Sequence, residues 1–308
     1  RVYRKRDKIL KFEGAYHGMN DYAMMSNQWT MGSPAYPQAV PNTHGIPRVL
    51  SDEVLVAPYN NLDQAADIIS KHRDELAGVI IEPVQRTFEP KPGFLQGIRE
   101  VTANFDIPLI FDEVVTGFRL GLGGAQTLYG VTPDLCATGK AISGGLPIGV
   151  LCGRQDIMQI ANPKRRLQML PFSMQTGTFS SNPVCASVAL ALIEQFEQPG
   201  TYERLEEVGV AVRQGLREAI AHSGIEACVT GVPSVFEIWF CQDEPYDHAS
   251  SKASDFYKNI RFSDLLLEQG VLKAAEKFFI SAAHSDEDIA KTIDAFHVAL
   301  EQLAKEIA

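Results

Sequence analysis

A chain of 308 residues is too long for a single small core and long enough for one large α/β domain with a smaller companion. Its 45% hydrophobic and 21% charged residues, with no low-complexity tract, set aside the disordered and fibrous classes. A formal net charge of -10, with basic residues scattered apart from Arg1 to Lys11 and the run Lys164-Arg165-Arg166, argues against a nucleic-acid partner.

The chain opens on Arg1-Val2-Tyr3-Arg4-Lys5-Arg6 rather than on an apolar leader, and no apolar run approaches the roughly 18 to 20 residues needed to span a bilayer. A cytoplasmic protein without a membrane partner is the expectation. Apolar runs rich in β-branched residues follow at Ile9–Phe12, Val54–Ala57, Val79–Ile81, Leu109–Phe111 and Gly149–Cys152, with helical stretches among them. That alternation predicts an α/β fold whose mainly parallel sheet is connected by βα units. Leu62, Ala65, Ala66, Ile69 and His72 mark one face of a helix after the second run, and another helix is predicted over Gly97 to Phe105. Gly/Pro-rich loops occupy Met31 to Pro47 and Phe88 to Phe94.

Near Pro183 the texture changes. Helices over Val184–Phe196 and Tyr202–Ala221 lead into a different mixture of strand and helix. The predicted division is a large domain over residues 1–196 and a smaller α+β domain over 197–308. The last element is the clearest helix in the chain: Ile289, Ile293, Phe296, Leu300, Leu303 and Ile307 alternate at spacings of four and three, behind a Ser285–Asp288 capping box. The five cysteines, Cys136, Cys152, Cys185, Cys228 and Cys241, form no C-x-x-C pair and read as buried free thiols. His44, His72, His222, His248 and His297 include no pair with metal spacing, so no metal site is expected.

Two segments carry chemistry. Leu109-Ile110-Phe111-Asp112-Glu113-Val114 is an apolar strand that ends in two carboxylates and breaks at Thr116-Gly117. Ligands of parallel α/β sheets gather at the carboxyl ends of strands, where Asp112 stands, although taken alone the match reads more simply as a solvated strand-end acid. In Asp134 to Gly145 a lysine, Lys140, directly follows a short strand and precedes the pair Gly144-Gly145, which leaves room for a ligand. Nucleotide fingerprints fail: a P-loop needs glycine in place of Asp134 and Ser or Thr in place of Ala141, and Gly121-Leu122-Gly123 lacks its third glycine. The interval from Asp112 to Lys140 is about one strand-helix-strand unit, so two neighbouring strand ends can face one pocket. A lysine partly withdrawn from water can form Schiff bases with carbonyls, and an acid opposite it can hold a pyridinium nitrogen protonated.

Seven motifs in order extend this reading: Glu13-Gly14-Ala15-Tyr16-His17-Gly18, Ile81-Glu82-Pro83-Val84, Phe111 to Arg119, Gly124-Ala125-Gln126, Gly130-Val131-Thr132-Pro133-Asp134, the Lys140 segment, and Gly177-Thr178-Phe179-Ser180-Ser181-Asn182-Pro183. Together they resemble the class III aminotransferases, with the fourth and fifth, and Ser281 to Ile289, closest to the glutamate-1-semialdehyde aminomutase branch. The resemblance implies a fold type I transferase that uses pyridoxal 5'-phosphate. It implies that Lys140 carries the cofactor and moves the substrate proton, and that Asp112 pairs with the pyridine nitrogen. Tyr16 would lie against one ring face and Val114 against the other, with His17 and Glu82 in support. Gly177 and Thr178 would reach the cofactor phosphate of a neighbouring subunit, which implies a homodimer with shared active sites.

Members of the family begin with a further stretch that includes a Ser-Gly-Thr-Glu-Ala-like phosphate loop at a helix N-terminus. This sequence opens where the next helix would finish, so the expectation is an N-terminally incomplete large domain that binds the cofactor weakly or not at all. Three readings follow: a transaminase that passes an amino group between an amino compound and a keto acid, an aminomutase that moves it within one molecule, and an inactive fragment or cofactor-free binding protein. Aminomutases of that branch usually read Tyr-His-Gly-His and then a small-residue Ala-Gly-Ser-Gly loop, whereas Tyr16-His17-Gly18-Met19 is followed here by Asn20 to Ser26. The family's common Gly-Asn after Glu-Pro-Val is replaced by Gln85-Arg86. Both departures favour transamination, with Arg86 a candidate grip for a substrate carboxylate.

Overall fold

The computed structural model describes residues 1–30, 35–274 and 276–307; Met31 to Pro34, within the predicted Met31 to Pro47 loop, lie outside the described residues. The chain falls into two compact units: residues 1–86 with 90–195, and residues 87–89 with 196–308.

The first unit is organised by β1 (Lys8–Phe12), β2 (Val54–Ala57), β3 (Leu76–Ile81), β4 (Leu109–Glu113), β5 (Leu135–Thr138) and β6 (Val150–Gly153), in the order β2-β1-β3-β4-β5-β6. Each predicted apolar run is a strand, and for β1 to β4 the reason is burial within the sheet: Leu10, Phe12, Val54, Val56, Leu76, Val79, Ile81, Leu109 and Phe111 are buried, whereas β6 is exposed over residues 151–153. β1 to β5 are parallel. β6 runs antiparallel to β5, with Cys136 opposite Cys152. The chain steps from β1 to β2 on one side and then to β3 on the other, so the switch point of the sheet lies beside β1, where ligand crevices form at the carboxyl ends.

α1 (Leu62–Lys71) buries Ala65, Ile68 and Ile69, and Asn61 caps it by accepting the Gln64 N–H at 3.2 Å. α2 (Phe94–Asn104) starts before the predicted Gly97, because Gly93 in the left-handed region turns the chain and lets Phe94, Leu95 and Ile98 enter the core. Among the described residues the β1–β2 link contains no α-helix but a 3-10 turn at Arg48–Asp52, contrary to the expected βα unit. Three short helices follow, α3 (Gly124–Tyr129), α4 (Gln155–Met158) and α5 (Lys164–Leu167), and then α6 (Pro183–Phe196).

The second unit pairs β7 (Cys228–Val232), β8 (Val235–Trp239) and β9 (Phe278–Phe279) as an antiparallel sheet. It also contains α7 (Thr201–Ser223), α8 (His248–Ser251), α9 (Phe256–Glu268) and α10 (Asp286–Ile307). Its core joins Val208, Val212 and Leu216 of α7 to Phe262 and Leu266 of α9 and to Phe296, Leu300 and Leu303 of α10. Phe296 meets Phe278 edge-on at 5.5 Å, and Phe278 stacks on Phe236 at 5.0 Å. Gly215 permits the close α7–α10 approach, since a Cβ there would sit 2.5 Å from Ile293 Cγ1. The predicted stripe of α10 holds except at its end, where Ile307 is exposed. The capping box is present: Ser285 N–H donates to Asp288 Oδ2 at 2.9 Å, and Asp288 N–H to Ser285 Oγ at 3.1 Å.

Thr87–Glu89 belongs to this second unit, within the range that the sequence assigns to the large domain. Thr87 Oγ1 and Thr230 Oγ1 share a hydrogen bond of 2.7 Å, and the Phe88 ring stacks on Trp239 at 5.3 Å. The cysteines depart from expectation in one place. Cys136, Cys185 and Cys241 are buried and Cys228 partly so, but Cys152 is exposed, because its strand forms the last position of the sheet.

Candidate active site

The carboxyl ends of β1, β3, β4 and β5 deliver the predicted site residues to one edge of the sheet. Tyr16 and His17 follow β1, Glu82 and Arg86 follow β3, Asp112 and Val114 lie at the end of β4, and Lys140 lies just past β5. The β4–β5 register places Asp112 beside Ala137 and Glu113 beside Thr138, so Lys140 emerges beyond Glu113 on the neighbouring strand.

The His17 ring donates from Nδ1 to Asp112 Oδ2 at 2.7 Å, with the two side chains only 5% and 12% exposed. Asp112 Oδ1 accepts the Val114 N–H at 3.1 Å, which turns the carboxylate toward the strand end. His17 Nε2 is buried and has no hydrogen-bond partner among the described residues. Tyr16 donates its backbone N–H to Glu82 Oε1 at 2.7 Å, and its ring meets Trp29 edge-on at 5.6 Å. The Val114 side chain lies beside Gly139, next to Lys140.

Lys140 has φ +46, in the left-handed region that a non-glycine residue adopts at a cost of about 1–3 kcal/mol. The turn that follows it is held by Ser143 Oγ, which donates to the Lys140 carbonyl at 2.6 Å. Lys140 is exposed, a correction to the expectation of a partly desolvated amine. Arg86, expected near the pocket mouth, is buried. It is 9% exposed, its N–H donates to Glu82 Oε2 at 3.3 Å, and its guanidinium bonds Gln28 Oε1. Gly177 and Thr178 lie in an exposed, irregular segment before α6, with no hydrogen bond to the cluster above among the described residues.

Two buried ionisable residues were not singled out by sequence reasoning. Glu113 accepts the Ala125 N–H at 2.6 Å, Gln126 Nε2 at 2.8 Å and the Thr116 hydroxyl at 3.0 Å, bracing the turn after β4. A Cβ on Gly124, which has φ +57, would overlap Glu113 Oε2. Lys11, fully buried on β1, donates to three carbonyls: Ala15 at 2.8 Å, Ala23 at 3.1 Å and Met25 at 2.5 Å. Burial lowers its pKa to about 7, against the opposing charge of Glu82. Burial, with the Glu113 charge beside it, pushes the Cys136 thiol up to about 12. Among the described residues no group of His, Cys, Asp and Glu is arranged to hold a metal, and no helix is long and apolar enough to cross a membrane.

The family model for aminotransferase class-III matches residues 1–300. The chain belongs to the class-III aminotransferase family. Among its class-III relatives, a glutamate-1-semialdehyde 2,1-aminomutase of Pelotomaculum thermopropionicum is 41% identical over 312 residues, covering 98% of this chain and 70% of the relative. One of Desulforudis audaxviator is 40% identical, covering 96% of this chain and 67% of the relative. Among solved structures, an omega-transaminase from Sphaerobacter thermophilus superposes with a TM-score of 0.91 at 35% identity, over 99% of this chain and 70% of that one. A transaminase with PLP bound gives 0.86 at 28% identity, over the same shares. These likenesses also bear out the expected fold type I class, a mostly parallel sheet flanked by helices.

Proposed function

We propose that this protein is a pyridoxal-phosphate-dependent transaminase that passes an amino group between an amino acid or amine and a keto acid, with Lys140 and Asp112 at its centre. The observation that carries the reading is the shared edge: neighbouring strands bring a carboxylate held by a buried histidine and a lysine amine to the same end of the sheet. The residues fit the cofactor. His17 Nε2 is a buried polar atom with no partner among the described residues, and Asp112 is fixed by two hydrogen bonds without being neutralised by a lysine or arginine in them. Lys140, Asp112, His17, Tyr16, Val114, Gly177 and Thr178 are the residues proposed to hold it. When bound, pyridoxal phosphate supplies an electron sink for the carbon that loses a proton.

The protein's own groups do the rest. With the cofactor bound, Asp112 would keep a proton on its ring nitrogen, and His17 orients that carboxylate by donating to it. The Lys140 amine would hold the cofactor, and would take and return the substrate proton. Tyr16 and Val114 would help to hold the ring. Glu82 fixes the backbone of Tyr16, and Arg86 would exchange Gln28 for a substrate carboxylate in a bidentate pair. Exposed apolar side chains between β6 and α6, with Met169 at 91% and Phe179 at 81% exposure, support a homodimer in which Gly177 and Thr178 serve a neighbouring copy. The substrates are small molecules, and the location is proposed as cytoplasmic.

Transfer within one molecule is the second reading, favoured by the aminomutase names of relatives at 40–41% identity. Intermolecular transfer is preferred for the residues after Gly18 and at Gln85-Arg86, which depart from that branch. In the full-length protein, borohydride reduction should fix pyridoxyl to Lys140, and turnover should require a keto-acid acceptor. Label on Lys11, the buried lysine on the same sheet, would overturn the assignment. Complete turnover to a rearranged isomer without an acceptor would replace the transaminase by the mutase.

A further inference from the structure

Lys11 and Glu82 hold the two ends of one peptide group. The carbonyl of the Ala15–Tyr16 peptide accepts from Lys11 Nζ at 2.8 Å, and its N–H, that of Tyr16, donates to Glu82 Oε1 at 2.7 Å. Both side chains are buried, Lys11 completely and Glu82 to within 7%. An ammonium withdrawn from water is costly unless its donors are all engaged, and Lys11 engages three, the other two on the Ala23 and Met25 carbonyls. One side chain of β1 therefore gathers three points of the loop that bears Tyr16 and His17. Glu82 also receives the Arg86 N–H at 3.3 Å, tying that loop to the segment after β3.

From this geometry, and resting on the active-site reading above, we infer that Lys11 and Glu82 are positioning residues that clamp the Ala15–Tyr16 peptide so that His17 meets Asp112. The residue after the clamped peptide is Tyr16, and the next is His17, whose ring is 2.7 Å from the carboxylate. A shift of the peptide moves both side chains, and a 1 Å misplacement of a catalytic group can lower turnover about 10²-fold. Lys11 does not itself react: its Nζ is enclosed by carbonyls, whereas Lys140 is exposed.

The test uses the full-length holoenzyme and its Lys11→Met variant, with 15N-labelled histidine. The parent should give a downfield His17 Nδ1–H resonance from the bond to Asp112. Lys11→Met should lose or broaden that resonance and lower kcat about 10²-fold with KM little changed. A variant that melts at a lower temperature but keeps the parent's His17 resonance and kcat makes Lys11 merely structural and overturns the clamp. If Lys11→Met does not fold, the Tyr16 amide of the parent decides: slow hydrogen exchange supports the clamp, and exchange at the rate of an open loop overturns it. Lys140→Ala, run alongside, separates the two readings. Covalent cofactor retained in that variant refutes the active-site assignment, while the His17 resonance of Lys11→Met still judges the clamp.

Discussion

Glu113→Ala probes the brace behind the site. The carboxylate accepts the Ala125 N–H at 2.6 Å, Gln126 Nε2 at 2.8 Å and the Thr116 hydroxyl at 3.0 Å, and the side chain is 1% exposed. Truncation leaves the Ala125 N–H, at a fully buried residue, without its acceptor, which costs about 1–3 kcal/mol. The Thr116 hydroxyl and the Gln126 amide can turn to other partners, but the emptied volume adds to the loss, and the expected total is about 3–4 kcal/mol. Glu113→Gln keeps a carbonyl oxygen for Ala125 and asks only that the Gln126 amide reverse, so about 1 kcal/mol is expected. Urea unfolding followed by far-UV circular dichroism measures both. The order of the two variants is the diagnostic result. Glu113→Ala within about 1 kcal/mol of the parent, or Glu113→Gln as damaging as Glu113→Ala, would refute the brace.

Asp134 links β4 to the strand beside it: Oδ2 accepts the Leu109 N–H and Arg99 Nη1, both at 2.8 Å, and Oδ1 accepts Arg154 Nη1 at 2.8 Å. Burial pushes its carboxyl upward, but Arg154, the Leu109 amide and Arg99 together outweigh it and hold the pKa below the ordinary aspartate value. The stabilisation is therefore complete above the unfolded pKa of about 3.9 and is lost as pH falls through the lower folded value. Asp134→Asn should cost about 1.5–3 kcal/mol at pH 7, with the gap to the parent closing on acidification; a gap constant from neutral to acid pH in denaturation curves contradicts this. Phe296→Ala empties a fully buried site beside Phe278 and Phe262 and should cost about 3–5 kcal/mol, read as a lowered denaturation midpoint. Asp112→Asn should keep the fold, checked by circular dichroism, but slow turnover by orders of magnitude, each tenfold worth about 1.4 kcal/mol; kcat near the parent's removes Asp112 from its proposed role.

The parallel strands were legible because a strand covered on both faces must be apolar along its length, as Leu10, Val54, Val79 and Leu109 are. The direction of β6 was not. Val150–Gly153 is just as apolar either way, and what reverses it is the connection after β5: a 3-10 turn at Lys140–Ser143 and a short return, with no helix to make a crossover. Motif order put Asp112, His17 and Lys140 at or just past strand ends, and there they lie. Lys11 could not be read this way, because its meaning lies in the carbonyls of residues 15, 23 and 25, which only the path of the loop brings together. Glu113 was visible as half of a carboxylate pair, but nothing in the linear order says that it turns to the start of α3 while Asp112 meets His17.

The borrowing of Thr87–Glu89 by the second unit has a consequence for how the chain is made. Thr87 leaves the ribosome 143 residues ahead of Thr230, its hydrogen-bond partner, and Phe88 precedes the Trp239 ring on which it stacks by a similar interval. This tripeptide is therefore made before α2, β4, β5 and α7, ahead of the strands that carry Thr230 and Trp239, so the second unit completes itself by a late, long-range closure. A gene fragment cut after Gln195 would deliver β7 and β8 to a cell without the side chains that cover Thr230 and Trp239, however sensible that boundary looks on paper.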